Sequence, residues 1–249
     1  MIKPALPHKF KRPKTHRDQK HIAKARGEII HPHDIDKRGG TVSWRIFRVM
    51  SEFVDGYEFL SGLSKEVSVF GSARTKPGTR YYEEGEKLGR MLASEEYTTI
   101  TGGGPGVMEA VNKGAFDAGG QSLGLNIQLP KEQRANPYVK RGIGFHFFFT
   151  RKVMMTSPSQ AFVVFPGGFG TLDEFFEVIT LMQTNKMPRV PLILMGKEYW
   201  TALDKFIRQE VLEHQQAIEP GDLKLYQIVD SADEAMRIIR KTRESDYLS

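Results

Sequence analysis

Apolar residues recur at helical spacing between Ser43 and Leu60: Trp44, Phe47, Met50, Phe53, Val54, Tyr57 and Leu60. This predicts an amphipathic helix that Thr41 or Ser43 can cap and Gly62 can end, packed on the domain that follows. Beyond it the pattern changes to short, continuous apolar runs. Residues 67–70, the run ending at Thr101, "SLGLNI", the aromatic "FHFFF", residues 161–165, "VPLILMG" and "YQIVD" each predict a strand. Helices are predicted between them: about 81–95, 106–118, one starting near Arg151, one after Gly170, and 198–214. A last helix starts at Ser231, with Glu234 placed to complete a capping box. The polar, broken "PKEQRANPYVKRG" reads as a surface loop, and residues 130–145 as a candidate lid. Apolar strands without alternation, each followed by a helix, predict an α/β fold. The expected form is a Rossmann-like, doubly wound, mostly parallel sheet with helices on both faces. Ligands of such sheets sit beyond the carboxyl ends of the strands.

Composition narrows this picture. At 249 residues and 39% hydrophobic content the chain can bury a sizeable core. The net charge of +6 is unevenly spread. Residues 1–40 hold 11 Lys/Arg against 4 Asp/Glu and five of the seven histidines; the other residues hold 25 against 26. The expected organisation is therefore a basic, flexible arm over 1–40 and one nucleotide-binding domain over 41–249. Phe10 is the only aromatic residue of the arm, so base stacking has little support and nucleic acid is not an expected partner. The histidines lack paired metal-ligand spacing, and no metal is expected. The absence of cysteine excludes disulfides and thiolate catalysis and suits a cytoplasmic protein. No apolar run approaches a membrane span, and no secretory signal is expected from the charged N-terminus.

The chemistry concentrates at two strand-to-helix junctions, Gly102-Gly103-Gly104-Pro105-Gly106 and Pro166-Gly167-Gly168-Phe169-Gly170-Thr171. Glycine there serves either a tight turn or the close approach of a ligand to the backbone. A helix start beyond it offers unpaired N–H groups to an anion, most naturally a phosphate. There is no lysine-bearing P-loop, and "FGSART" is not a dinucleotide fingerprint, so a monophosphate on the second turn fits better. Thr171 and Glu174 also match a capping box, which would make Glu174 a helix cap and nothing more. Arg151 and Lys152 stand at a helix start, where cations gain nothing from the dipole, and so ask for a nearby anion.

These residues resemble the LONELY GUY family. Its P-G-G-x-G-T-x-x-E motif is complete as Pro166, Gly167, Gly168, Gly170, Thr171 and Glu174. A second hallmark, G-G-G-x-x-G-x-M, is matched by Gly102, Gly103, Gly104, Gly106 and Met108, and an Arg-Lys pair by Arg151 and Lys152. "FGSAR" is similar to the end of the family's first strand, and Asn136 to Tyr138 to a feature of its longer bacterial members. The resemblance spans about residues 66–230. It implies hydrolysis of the N-glycosidic bond of a nucleoside 5′-monophosphate, either AMP or a cytokinin riboside monophosphate, without a cofactor. It implies Glu174 and Arg151 as the catalytic pair. The implied substrate-binding set is Gly71, Ser72, Gly103, Gly104, Met108, Glu109, Lys152, Pro166, Gly167, Gly168, Gly170 and Thr171. A homodimer or larger homo-oligomer is also implied. The alternative is a non-catalytic carrier of a phosphorylated cofactor such as molybdenum cofactor, which would need the loop but not the carboxylate.

Overall fold

In the computed structural model the described residues are 42–128 and 135–242. Helix α1 (Val42–Leu60) leads into strand β1 (Glu66–Phe70), followed by α2 (Arg80–Ser94), β2 (Thr98–Thr101), α3 (Val107–Asp117), β3 (Ser122–Ile127) and β4 (Arg141–Phe145). The second half runs α4 (Phe148–Thr156), β5 (Ala161–Val164), α5 (Phe169–Gln183), β6 (Leu192–Met195), α6 (Lys197–Phe206), β7 (Gln227–Val229) and α7 (Ala232–Ile239). Every residue of β1, β2, β5 and β6 is buried, which is why these strands show no alternation of exposed polar positions and β5 and β6 read as unbroken apolar runs. They lie in a seven-stranded sheet of order β4-β3-β2-β1-β5-β6-β7, parallel at every pairing.

Successive side chains of a strand point to opposite faces. Val67, Val69, Val163 and Phe165 therefore pack on one face with Leu88 of α2, Val111 of α3 and Met236 of α7. Phe70, Phe162 and Val164 pack on the other with Met154 of α4, Phe175 of α5 and Trp200 of α6. Helices cover both faces, as expected. The strand order reverses at β1. The chain first builds outward through β2, β3 and β4, then returns to pair β5 with the open edge of β1, Val67 opposite Ala161 and Phe70 opposite Val164. That reversal leaves a crevice beyond the carboxyl ends of β1 and β5.

Some boundaries differ from the sequence reading. The strand expected at the aromatic run lies earlier: β4 ends at Phe145, and Phe148 and Phe149 open α4 instead. Gly142 and Gly144 hide this strand in the sequence, yet they pair with Gly124 and Asn126 of β3. The helix expected through His214 keeps α pitch only to Phe206, and residues Ile207–His214 continue as a π-helix. The lid proposal is also corrected in part. Residues 129–134 lie outside the described residues, but Asn136 and Val139 are buried and 141–145 is β4 itself. Ser231 does cap α7 by accepting the Glu234 N–H, while the Glu234 carboxylate reaches one residue further back, to the Asp230 N–H.

Helix α1 packs on α4 and β4 through one side only. Gly56 lies so close to Met154 that a Cβ there would stand 2.6 Å from its Sδ. The outer side leaves Trp44, Ile46, Phe47, Met50, Val54 and Tyr57 exposed. The basic arm, its histidines and Thr41 lie outside the described residues. Among the described residues no helix is long and apolar enough to cross a membrane.

Candidate active site

The two glycine turns are put to different uses. In the first, Gly103 and Gly106 have φ of +68° and +75°, which few other residues tolerate. A Cβ on Gly106 would lie 2.2 Å from the Ser72 carbonyl oxygen. That carbonyl accepts the N–H of Val107, the first residue of α3, at 3.0 Å. Asn136 ties down the rest of the turn, donating its backbone N–H to Gly103 O (2.8 Å) and its side-chain amide to Gly104 O (3.0 Å). Asn136 is held in turn by Asn112, which also accepts from Thr101 and donates to Ser122. The first turn is thus explained by internal packing.

The second turn is not. Neither Gly168 nor Gly170 has a positive φ, and a Cβ on either would meet no protein atom within 4 Å. Only Gly167 is packed, against Thr171. The remaining use of bare backbone at 168 and 170 is to let something outside the chain come close. The loop's carbonyls are turned away and held: Pro166 O accepts Ser72 N–H (3.0 Å), and Gly167 O accepts the Tyr199 hydroxyl (2.7 Å). Gly168 caps α5 with no side chain, so the first amides of that helix face the opening without an internal acceptor. The opening is a cleft of about 960 Å³, lined by the ends of β1 and β5 and the first turns of α5.

Glu174 lies one turn into α5 and is only 6% exposed. The capping-box reading fails here. The helix starts at Phe169, Thr171 is already inside it, and no side chain bonds to its leading amides. Instead Glu174 Oε1 lies 3.8 Å from Arg151 Nη1, and Oε2 is buried without a hydrogen-bond partner. Burial pushes the carboxyl up to about 7; Arg151 and Lys152 oppose the rise, while Glu177 and Asp173 add to it. Arg151 donates from Nε to the Leu125 carbonyl of β3 at 2.6 Å. Its guanidinium lies against Gly102, where a Cβ would stand 2.4 Å from Nη2. Burial lowers the arginine's pKa and Glu174 opposes the change, but an arginine stays charged.

Of the residues singled out in the sequence, Gly71, Ser72, Met108, Arg151, Pro166, Gly167, Gly168, Gly170, Thr171 and Glu174 all line the cleft. Gly103 and Gly104 lie behind it in the packed turn, and Glu109 accepts a hydrogen bond from the Tyr82 hydroxyl (3.0 Å). Lys152 pairs with Asp173 and Glu177, at 2.8 Å each. Arg74, Thr75 and Phe148 also line the cleft but were not singled out. Arg74 closes the quoted "FGSAR" and Phe148 belongs to the aromatic run, so both stood beside a noted signal. Tyr199, which holds the loop, had none.

A doubly wound parallel sheet with an open helix start and an arginine–carboxylate pair at its switch point defines a Rossmann-like α/β protein with a candidate anion site. The chain belongs to the LONELY GUY family: the family profile described as "Possible lysine decarboxylase" matches residues 108–239. The cytokinin riboside 5′-monophosphate phosphoribohydrolase of Rhodococcoides fascians is 31% identical over 155 residues, 60% of this chain and 77% of that protein. The cytokinin riboside 5′-monophosphate phosphoribohydrolase LOG1 of Arabidopsis thaliana is 28% identical over 187 residues, 72% of this chain and 83% of that protein. Among solved structures, a molybdenum cofactor binding protein from Rippkaea orientalis has a TM-score of 0.54 at 22% identity, covering 72% of this chain and 98% of that one, a likeness of fold. The decarboxylase description would call for pyridoxal phosphate on a lysine. No lysine lines the cleft among the described residues, and Lys152 is held by two carboxylates, so the residues present do not fit that group.

Proposed function

We propose that the protein hydrolyses the N-glycosidic bond of a nucleoside 5′-monophosphate, AMP or a cytokinin riboside monophosphate, to free base and ribose 5-phosphate. The observation that carries this reading is the Glu174 carboxylate, buried, one oxygen without a partner, beside Arg151 in the cleft. Buried carboxylates are normally satisfied, and an exception at a cleft points to chemistry. In this reading the amides of α5 and Thr171 hold the phosphate, which positions the sugar. The C1′–N bond breaks toward an oxocarbenium-like state, which the Glu174 carboxylate stabilises. Water adds its hydroxyl to C1′, and its one remaining proton passes to the carboxylate and from there to the departing base, which leaves the carboxylate ionised again. Arg151 supplies positive charge to the phosphate or to the base. The named activity of the relatives supports the same reaction class.

The exposed apolar side of α1 supports a homodimer or larger homo-oligomer, because a monomer rarely leaves such a patch open. The direct test is incubation with AMP, other nucleoside monophosphates and isopentenyladenosine monophosphate, followed by chromatography for free base. Tight binding of these nucleotides with no base released would favour the carrier reading.

A further inference from the structure

Helix α4 carries Arg151 but has no cap of its own. Phe147 stands at its cap position with extended backbone and no side-chain bond to the helix. Arg151 and Lys152 sit early in the helix, where its dipole is positive and cations are disfavoured. The missing anion comes from α1. Glu52 is 2% exposed. One of its oxygens accepts the His146 N–H at 2.8 Å; the other accepts the Phe147 N–H at 3.3 Å and the Thr150 hydroxyl at 2.6 Å. The chain of contacts then runs directly to the site. The Phe147 carbonyl accepts the Arg151 N–H, and the Arg151 guanidinium reaches Leu125 O and Glu174.

We propose that Glu52 is a positioning residue for Arg151. By capping α4 from outside, it fixes the rotation and depth of the turn from Phe147 to Arg151 and offsets the two cations there. Helix α1 lies outside residues 108–239, which the family profile matches. For its kinetic arm the inference rests on the phosphoribohydrolase reading; its structural arm is independent of it.

The test uses full-length Glu52→Gln and Thr150→Val. The first keeps the shape but replaces one accepting oxygen with a donor amide; the second deletes one of the three bonds to Glu52, together with the Thr150 contact to the Phe147 carbonyl (2.8 Å), and leaves the charge. The deciding readout is solvent exchange of the Arg151 Nε–H, its resonance identified by its loss in Arg151→Lys. Buried and bonded to Leu125 O, this proton should exchange slowly in the wild type, and at least about tenfold faster in both variants. In the kinetic arm, kcat on AMP should fall about tenfold or more, since small misplacements of a catalytic group are costly. Unchanged Arg151 exchange in folded variants overturns the proposal, whatever happens to kcat or the melting temperature. Should Glu52→Gln not fold, Thr150→Val decides by the same exchange measurement. A wild type that releases no base from AMP, the other nucleoside monophosphates or isopentenyladenosine monophosphate defeats the hydrolase reading and leaves the exchange result standing.

Discussion

Replacing Glu174 with glutamine should make the protein more stable and less active, and the gain in stability should depend on pH. Burial raises the carboxyl from 4.5 to about 7. A carboxyl with a raised folded-state pKa contributes stability that is complete below pH 4.5 and is lost as pH rises through about 7. At about 1.4 kcal/mol per pKa unit, the ionised group costs about 3 kcal/mol at pH 8 but only about 1 kcal/mol at pH 5.5. The attraction to Arg151 is already contained in the value near 7. Glutamine mimics the protonated acid and escapes the charge penalty. The variant's advantage should therefore be about 2 kcal/mol larger at pH 8 than at pH 5.5, roughly 4–8 °C in Tm for a chain of this size. On AMP at pH 8, kcat should fall on the order of 100-fold or more, because a charge facing the transition state is gone. The assay is a pair of thermal melts at the two pH values and one activity measurement. A Tm difference that does not change with pH, or a less stable variant at pH 8, would refute the burial argument. Near-normal kcat would refute the catalytic role.

Other outcomes follow from the same geometry. Gly170→Val should raise the inhibition constant of phosphate at least about tenfold by filling the approach to the α5 amides, while stability changes by no more than about 1 kcal/mol; competitive inhibition kinetics and a melt check both. Gly103→Val, forced into positive φ against Asn126, should instead destabilise by several kcal/mol, on the order of known strain and overpacking costs, as denaturant titration would show. Adenosine should have kcat/KM on the order of 100-fold or more below that of AMP, because phosphate binding positions the sugar; parallel progress curves measure this. A chain starting at Thr41 should keep turnover within about threefold, since the removed residues are too polar to bury a core; its kcat on AMP is the check.

The middle of the sheet was legible because β1, β2, β5 and β6 are wholly buried. Runs such as Ala161–Val164 carry no alternation, and that by itself implies covered faces. Strand β4 was not, since its hydrogen bonds run through glycines that propensity assigns to loops. The second glycine turn was expected to serve a ligand, but its sequence alone does not separate it from the first. What separates them is three-dimensional: Gly106 is crowded by Ser72 and Gly103 by Asn126, whereas nothing faces Gly168 or Gly170. The T-x-x-E spacing misled because it assumes the helix begins at Thr171, and the helix begins earlier. Glu52 gave no signal at all. A carboxylate in an amphipathic helix looks solvated until the partner it caps, far along the chain, is folded against it.

The pairing of β1 with β5 also decides when this molecule can exist. Strand β1 leaves the ribosome first and ends in the middle of the sheet, yet one of its edges must wait for β5 to be synthesised. Until then the nascent chain holds β1 to β4 with an unpaired inner edge carrying Val67, Val69 and Phe70, a template for pairing with the wrong chain. Closing that edge joins segments separated by most of the N-terminal half, a slow step for any chain. The cleft is made from the ends of these two strands, so it appears only when they meet. A message cut short before Ala161 would thus yield an adhesive half-sheet, a burden for chaperones, and no trace of nucleotide chemistry.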